Sequence, residues 1–205
     1  MTDKEEKKEG LRERKRRETL ERIAETGLRL FVENGYDGTT LEAIAAEAGI
    51  AARTFFYYFK TKEDILRYWQ GDGLLEALRP SLIAISPRQV PLTAVRRCLI
   101  ELVSRYENKR SIVVDSLMRS TDALRVRKQA IFVEMETTVF EALCEVWPDQ
   151  ERRAALRAVA MVAIGTMRLA MENWRDGKGK RPLADYLSDG FARLQTEIRA
   201  SRTRA

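Results

Sequence analysis

The sequence predicts an all-α fold of about nine helices, arranged as a small N-terminal three-helix head followed by a larger helical body. Three observations predict it. Apolar residues recur at i, i+3, i+4 and i+7 along most of the chain, and no stretch alternates with the period of two that a half-buried strand requires. Start and stop signals cut that pattern into helix-sized pieces: Thr39-Thr40, Thr61-Lys62-Glu63-Asp64 and Pro182 at starts, Gly35, Gly49 and Pro148 at ends. With 205 residues, 44% of them hydrophobic, the chain is long enough to bury two apolar cores.

Residues 1–11 are charged and poor in apolar side chains, which predicts a disordered tail. The first helix should cover about 12–34, with Leu20, Ile23, Ala24, Gly27, Leu28 and Phe31 on one stripe and Glu18, Glu21, Arg22, Glu25 and Arg29 away from it. Gly35 supplies its left-handed stop. A short second helix carries Leu41, Ile44, Ala45 and Ala48 at helical spacing, with Thr39 and Glu42 matching a capping box, and ends at Gly49. The third begins near Ala51. It turns Phe55, Tyr58 and Phe59 to one side and Ala52, Arg53, Phe56, Tyr57 and Lys60 to the other. Two turns of helix are not stable alone, so the first side must be clamped by its neighbours and the second held rigidly outward.

Thr61 opens a further helix through Ile65, Leu66 and Trp69, loosening at Gly71 and Gly73 before Pro80, and the boundary between a head over 12–66 and a body over 67–205 falls along it. Past Ser86-Pro87, amphipathic stretches run over about 92–106, 110–120 and 122–147. A long helix follows over about 150–175, then a glycine- and lysine-rich loop over 176–181, and Pro182 sits in the first turn of the last helix.

Composition excludes several functions. The chain has no histidine, which removes Ser/His and Cys/His catalysis and the commonest zinc sites, so neither a metal nor a cofactor is expected. Cys98 and Cys144 are isolated in apolar stretches and read as reduced core residues of a cytoplasmic protein. The N-terminus is charged, and the apolar run over 158–165 is far shorter than the roughly 20 residues a bilayer needs, so no membrane association is expected. The formal charge of +6 is not in the head: residues 1–66 hold 13 basic and 14 acidic residues, the remainder 24 and 17. What the head has is a local cluster, Arg12, Arg14, Lys15, Arg16 and Arg17, which fits either a phosphate contact or a solvated helix start.

The string TTLEAIAAEAGIAARTFFYYFKTKEDIL, preceded by LRLFVENGYDG, resembles the DNA-binding head of TetR-family regulators over about the first 70 residues. Arg53-Thr54-Phe55-Phe56 is similar to an actinobacterial-type branch, and MRLAMENWRDGKGKRPLADYLSDGFARL is loosely similar to its C-terminal helices. The resemblance implies a helix-turn-helix whose third helix enters the major groove, with Arg53 placed to contact guanine O6 and N7. It carries Thr39 and Thr40 to the phosphate at the second helix start, where unpaired N–H groups favour an anion. Ala52, Thr54, Phe56, Tyr57 and Lys62 are carried over as groove or backbone contacts, with Lys60, Arg16 and Arg17 as added candidates. Two positions depart from the pattern: Ala51 stands where a Ser cap is frequent, and Phe56 replaces a Tyr hydroxyl, leaving contact with a thymine methyl or a sugar but no donor to phosphate.

For the body, the resemblance implies a ligand-binding and dimerisation domain. The helix over 150–175 is apolar around much of its circumference, and its small residues suit close approach of a symmetry mate. Ala158, Val162, Gly165 and Leu169 with Tyr186, Leu187, Phe191 and Leu194 are the expected interface of a homodimer, internal packing being the alternative. Trp69, Tyr106, Met118, Phe132, Met135 and Met167 are candidates to line a pocket for a hydrophobic or amphipathic effector, or else are ordinary core. The reading is a repressor bound as a homodimer to a palindromic operator in double-stranded DNA and released by that effector. The rivals are an activator or effector-independent binder with the same head, and a helical enzyme, which the missing histidines disfavour.

Overall fold

The computed structural model describes residues 10–70 and 72–203, and the chain divides into two compact units, one ending at Trp69 and the other beginning at Gln70. The disordered tail expected over 1–11 falls on residues 1–9, outside those described, and on Gly10 and Leu11, where the first helix begins.

The first unit contains α1 (Leu11–Asn34), α2 (Leu41–Glu47), α3 (Ala52–Tyr58) and α4 (Lys62–Gln70). The α1 stripe is what closes it: Ile23, Ala24, Leu28 and Phe31 are buried, together with Ile44 and Ala45 of α2, Phe55 of α3, and Ile65 and Leu66 of α4. Gly27 permits the closest approach, since a Cβ there would lie 2.7 Å from Ile65 Cδ1. Gly35 ends α1 at φ +78°. Between α2 and α3 the chain turns at Gly49, at φ +67°, while the Ile50 N–H donates to the Ala45 carbonyl at 3.0 Å. At the start of α4, Asp64 accepts from the N–H groups of Lys60 and Thr61, each at 2.9 Å, and Thr61 Oγ1 accepts from the Asp64 N–H.

The second unit contains α5 (Asp72–Ile83), α6 (Pro91–Tyr106), α7 (Ser111–Leu117), α8 (Asp122–Val146), a single 3₁₀ turn (Gln150–Arg152), α9 (Arg153–Asp176) and α10 (Leu183–Thr203). Its core gathers Leu78 and Leu82 of α5, Leu99 and Leu102 of α6, Val139 and Leu143 of α8, Ala160, Ala163 and Ile164 of α9, and Leu187 and Phe191 of α10. The helix expected from Thr61 to Pro80 is two helices rather than one, which makes ten α-helices among the described residues. Pro80 lies inside α5 rather than ending it. Gly73 stands directly under the Tyr106 ring of α6, where a Cβ would collide with the aromatic carbons, so α5 approaches α6 closely at its first turn.

By length and composition alone, the stretch Gln150–Asp176 is apolar enough to cross a membrane, a longer apolar run than the one expected over 158–165. Here it serves as a core helix, with Leu156, Ala160, Ala163, Ile164, Met167, Ala170 and Trp174 buried and α6, α8 and α10 packed on it.

Candidate nucleic-acid interface

The third helix presents the face that its sequence predicts. Phe55 and Phe59 are buried with their rings tilted against each other, 6.0 Å apart, and Phe59 meets Tyr68 of α4 edge to face at 6.1 Å. This aromatic clamp supplies the tertiary support that a seven-residue helix lacks on its own. Ala52, Arg53, Thr54, Phe56, Tyr57 and Lys60 are left outside. Phe56 is 41% exposed and Tyr57 64%, large apolar surfaces that the head does not use for its own core.

The basic start of α1 joins this face. The Arg16 guanidinium lies 5.7 Å from the centre of the Tyr57 ring, so a cation from α1 and the outermost aromatic of α3 form one surface. Arg17 is exposed beside it in the chain. The Lys60 ammonium donates to the Phe56 carbonyl at 2.8 Å, holding positive charge against the C-terminal end of α3.

Two candidates are turned inward. Thr39 is 2% exposed, and its hydroxyl sits 2.8 Å from the Gly35 carbonyl and 3.1 Å from that of Leu30, against the C-terminal end of α1. It therefore seals α1 instead of facing a phosphate. The cap of α2 is Thr40, one residue later than the expected Thr39 box: its Oγ1 accepts from the Ala43 N–H at 3.1 Å, and its side chain is exposed. Lys62 is likewise an internal brace. Its ammonium donates to the carbonyls of Tyr36 and Thr39, at 2.8 and 2.9 Å, and lies 4.5 Å from the centre of the Tyr36 ring.

The candidates for the effector pocket divide between the units. Trp69 belongs to the first, where its indole N–H donates to the Ala24 carbonyl of α1 at 3.0 Å, so its placement among the body residues is corrected. Phe132, Met135 and Met167 are buried in the body core, with Tyr106 packed against them half-buried; Met118 is buried outside that cluster. Of the expected dimer residues, Ala158, Val162, Gly165 and Leu169 lie on the exposed face of α9, and Tyr186 and Leu194 are half-buried on α10. Leu187 and Phe191 are wholly enclosed by their own protomer, which corrects their assignment to a surface. Met161, 53% exposed, joins the α9 face instead; its spacing of four from Gly165 was the signal for it.

Sequence reasoning also passed over a buried ionic cluster. Asp115 of α7 pairs with Lys128 of α8 and, at 3.5 Å, with Arg175 of α9. Lys128 stands at the same spacing as Leu124, Phe132, Met135 and Val139, a charge on the core side of its helix. Burial pulls its ammonium down, opposed by the hydrogen bond and charge of Asp115.

Residues 23–68 match the model for bacterial regulatory proteins of the tetR family. The chain is 43% identical over 56 residues to the HTH-type transcriptional regulator TcmR of Streptomyces glaucescens, a match covering 27% of this chain and 25% of that protein. It is 38% identical over 47 residues to IcaR of Staphylococcus epidermidis, a negative regulator of the biofilm operon icaADBC, covering 23% and 25%. The chain thus spans about a quarter of the length of these curated relatives. Over 85% of its length it superposes on SmeT in complex with triclosan, with a TM-score of 0.59, 21% identity and 90% of that chain covered. SmeT is the repressor of the Stenotrophomonas maltophilia multidrug efflux pump SmeDEF. That likeness extends the fold through the body, while the family model matches the head, including the helix that carries Arg53 and Tyr57. With its helix-turn-helix and all-helical body, this chain is similar to bacterial regulatory proteins of the tetR family in the sequence of residues 23–68 and to solved structures such as SmeT in its fold.

Proposed function

We propose that the chain is a cytoplasmic transcriptional repressor that binds a palindromic operator as a homodimer and is released by a small hydrophobic or amphipathic effector. The observation that carries this reading is the exposed α3 face, where Arg53, Thr54, Phe56 and Tyr57 project from a helix fixed by its buried phenylalanines. Arg53 at the helix start reads a base edge, Phe56 meets a methyl or sugar, and Arg16, Arg17, Thr40 and Tyr57 meet the backbone. Repression is supported by IcaR and SmeT, both described as negative regulators or repressors, and release by the triclosan complex of SmeT.

Dimerisation places two such helices about 34 Å apart, one turn of duplex. An effector weakens operator binding only to the extent that it prefers a conformation that holds the heads at another separation. Selection of bound sequences from random duplex DNA with the purified protein tests the reading. A palindromic consensus supports it; recovery of no preferred sequence overturns it.

A further inference from the structure

Resting on the regulator reading, the geometry points to the chemistry of the effector: an amphipathic carboxylate whose headgroup is bound by Lys128 and Arg175 in the body. The two cations come from α8 and α9 and share one counter-ion, Asp115 of α7. Side-chain exposures are 3% for Asp115, 11% for Lys128 and 19% for Arg175, so the cluster is enclosed, with Arg175 at its rim. A buried charge without a partner is costly, and here two positive groups meet one carboxylate. Arg119, exposed just beyond α7, adds a third positive charge within electrostatic reach of Lys128.

The pairing inside the cluster is also incomplete. Arg175 reaches Asp115 Oδ2 only at 3.5 Å, longer than a charge-assisted hydrogen bond, and that oxygen has no hydrogen-bond partner. The planar guanidinium therefore has donors to spare in the fork geometry that matches a carboxylate. On the same turn of α9, the Trp174 indole N–H is buried without an acceptor. The uncompensated positive charge of the cluster is remedied by an anionic acceptor.

The flanking residues define the rest of the ligand. Met118, the C-cap of α7, follows Asp115 by three positions, Phe132 follows Lys128 by four on α8, and Met171 precedes Arg175 by four on α9, each about one turn along from its charged residue. Phe132 and Met171 belong to or pack on the body core, and Met135 and Met167 continue it a turn further. A charged end thus borders flexible, polarizable apolar side chains, the setting for an anionic head with an aliphatic tail.

The test uses full-length protein with decanoate, decanol and decyltrimethylammonium as probes below their micellar concentrations, followed by calorimetry and thermal unfolding. Decanoate is expected to bind and raise Tm, and the neutral and cationic chains to bind weakly or not at all. Arg175→Gln should weaken decanoate by about tenfold or more, the loss of a charge-assisted bond. Asp115→Asn should strengthen it, because the internal competitor for both cations is removed, a gain that a merely structural ion pair would not give. Lys128→Met should act as Arg175→Gln does; where it fails to fold, Arg175→Gln carries the test, since Lys128 then keeps its pair with Asp115. Equal binding of decanol, no binding of decanoate, or affinity unmoved in Arg175→Gln overturns the assignment. An operator titration on the same preparations separates the two ideas: DNA binding without decanoate binding removes the site and leaves the regulator, and the reverse removes the regulator and leaves the site.

Discussion

The Arg16 guanidinium of α1 lies over the face of the Tyr57 ring of α3, 5.7 Å from its centre, and so links the basic start of α1 to the outward side of α3. Exposed cation–π contacts are worth about 0.5–1 kcal/mol, too little to matter for folding but enough to bias both groups towards one arrangement of the face proposed to meet DNA. In operator titrations, Arg16→Ala and Tyr57→Ala should each weaken binding, and the double variant should lose less than the sum of the two. Strict additivity would mean that the two residues act separately.

Arg53 is exposed at the start of α3. Arg53→Ala should cost about 1–3 kcal/mol at the selected operator and relax the base preference at one position per half-site, with thermal unfolding unchanged. A repeat of the duplex selection with the variant reads both effects. An unaltered consensus would remove Arg53 as the base reader.

The adjacent threonines should separate cleanly. Thr39→Val removes a buried donor from two carbonyls and should cost about 1–3 kcal/mol in urea unfolding. Thr40→Ala loses an exposed N-cap, about 1 kcal/mol, and in addition the contact proposed with phosphate. Operator affinity of the folded fraction should therefore fall for Thr40→Ala and hold for Thr39→Val.

These threonines also mark where sequence stops being informative. Many helix ends were legible to within a residue or two because glycine, proline and capping side chains act locally, whereas the end of α7, the start of α9 and the break between α4 and α5 were not; the two faces of α3 were legible because three aromatics recur at helical spacing. Which of two neighbouring hydroxyls turns inward was not, since either satisfies a cap pattern and the choice depends on where the end of α1 lies. Lys62 and Trp69 were misread for the same reason: their partners, the carbonyls of Tyr36, Thr39 and Ala24, are distant in the chain. On α9, apolar around most of its girth, spacing alone could not tell buried Ile164 from exposed Met161.

Cys98 is buried in α6, and burial first, then the charge of Glu101, pushes its thiol from 9.0 up to about 12. The folded state thus holds this proton after the unfolded chain has released it. Its contribution to stability is complete below about pH 9 and is lost as pH rises from there towards 12, where unfolding is favoured by ionisation. Cys98→Val should flatten that alkaline decline in thermal unfolding curves. At pH 8 an aromatic disulfide reagent should modify half-buried Cys144 in the native protein and reach Cys98 only on denaturation.

The last prediction concerns assembly, and it follows from what α9 leaves uncovered. Met161 and Leu169 are about half exposed and Val162 40%, while Ala158 and Gly165 lie between them on the same face. A Cβ built at Gly165 meets nothing within 4 Å, so a side chain added there points away from its own protomer. Gly165→Trp should consequently leave the fold of the protomer intact, apart from the minor change in helix propensity, and act only on whatever covers this face. If that cover is the second subunit, the indole wedges the two α9 helices apart, and sedimentation at micromolar concentration should show monomers or a weakened dimer. Operator affinity should fall with it, because two recognition helices no longer span successive turns of duplex. Leu169→Glu offers an independent check, placing an unpaired charge at the same interface, at a cost of several kcal/mol if it stays buried there. A wild-type protein that sediments as a monomer, or a Gly165→Trp dimer with unchanged affinity, would place the dimer surface elsewhere than on α9.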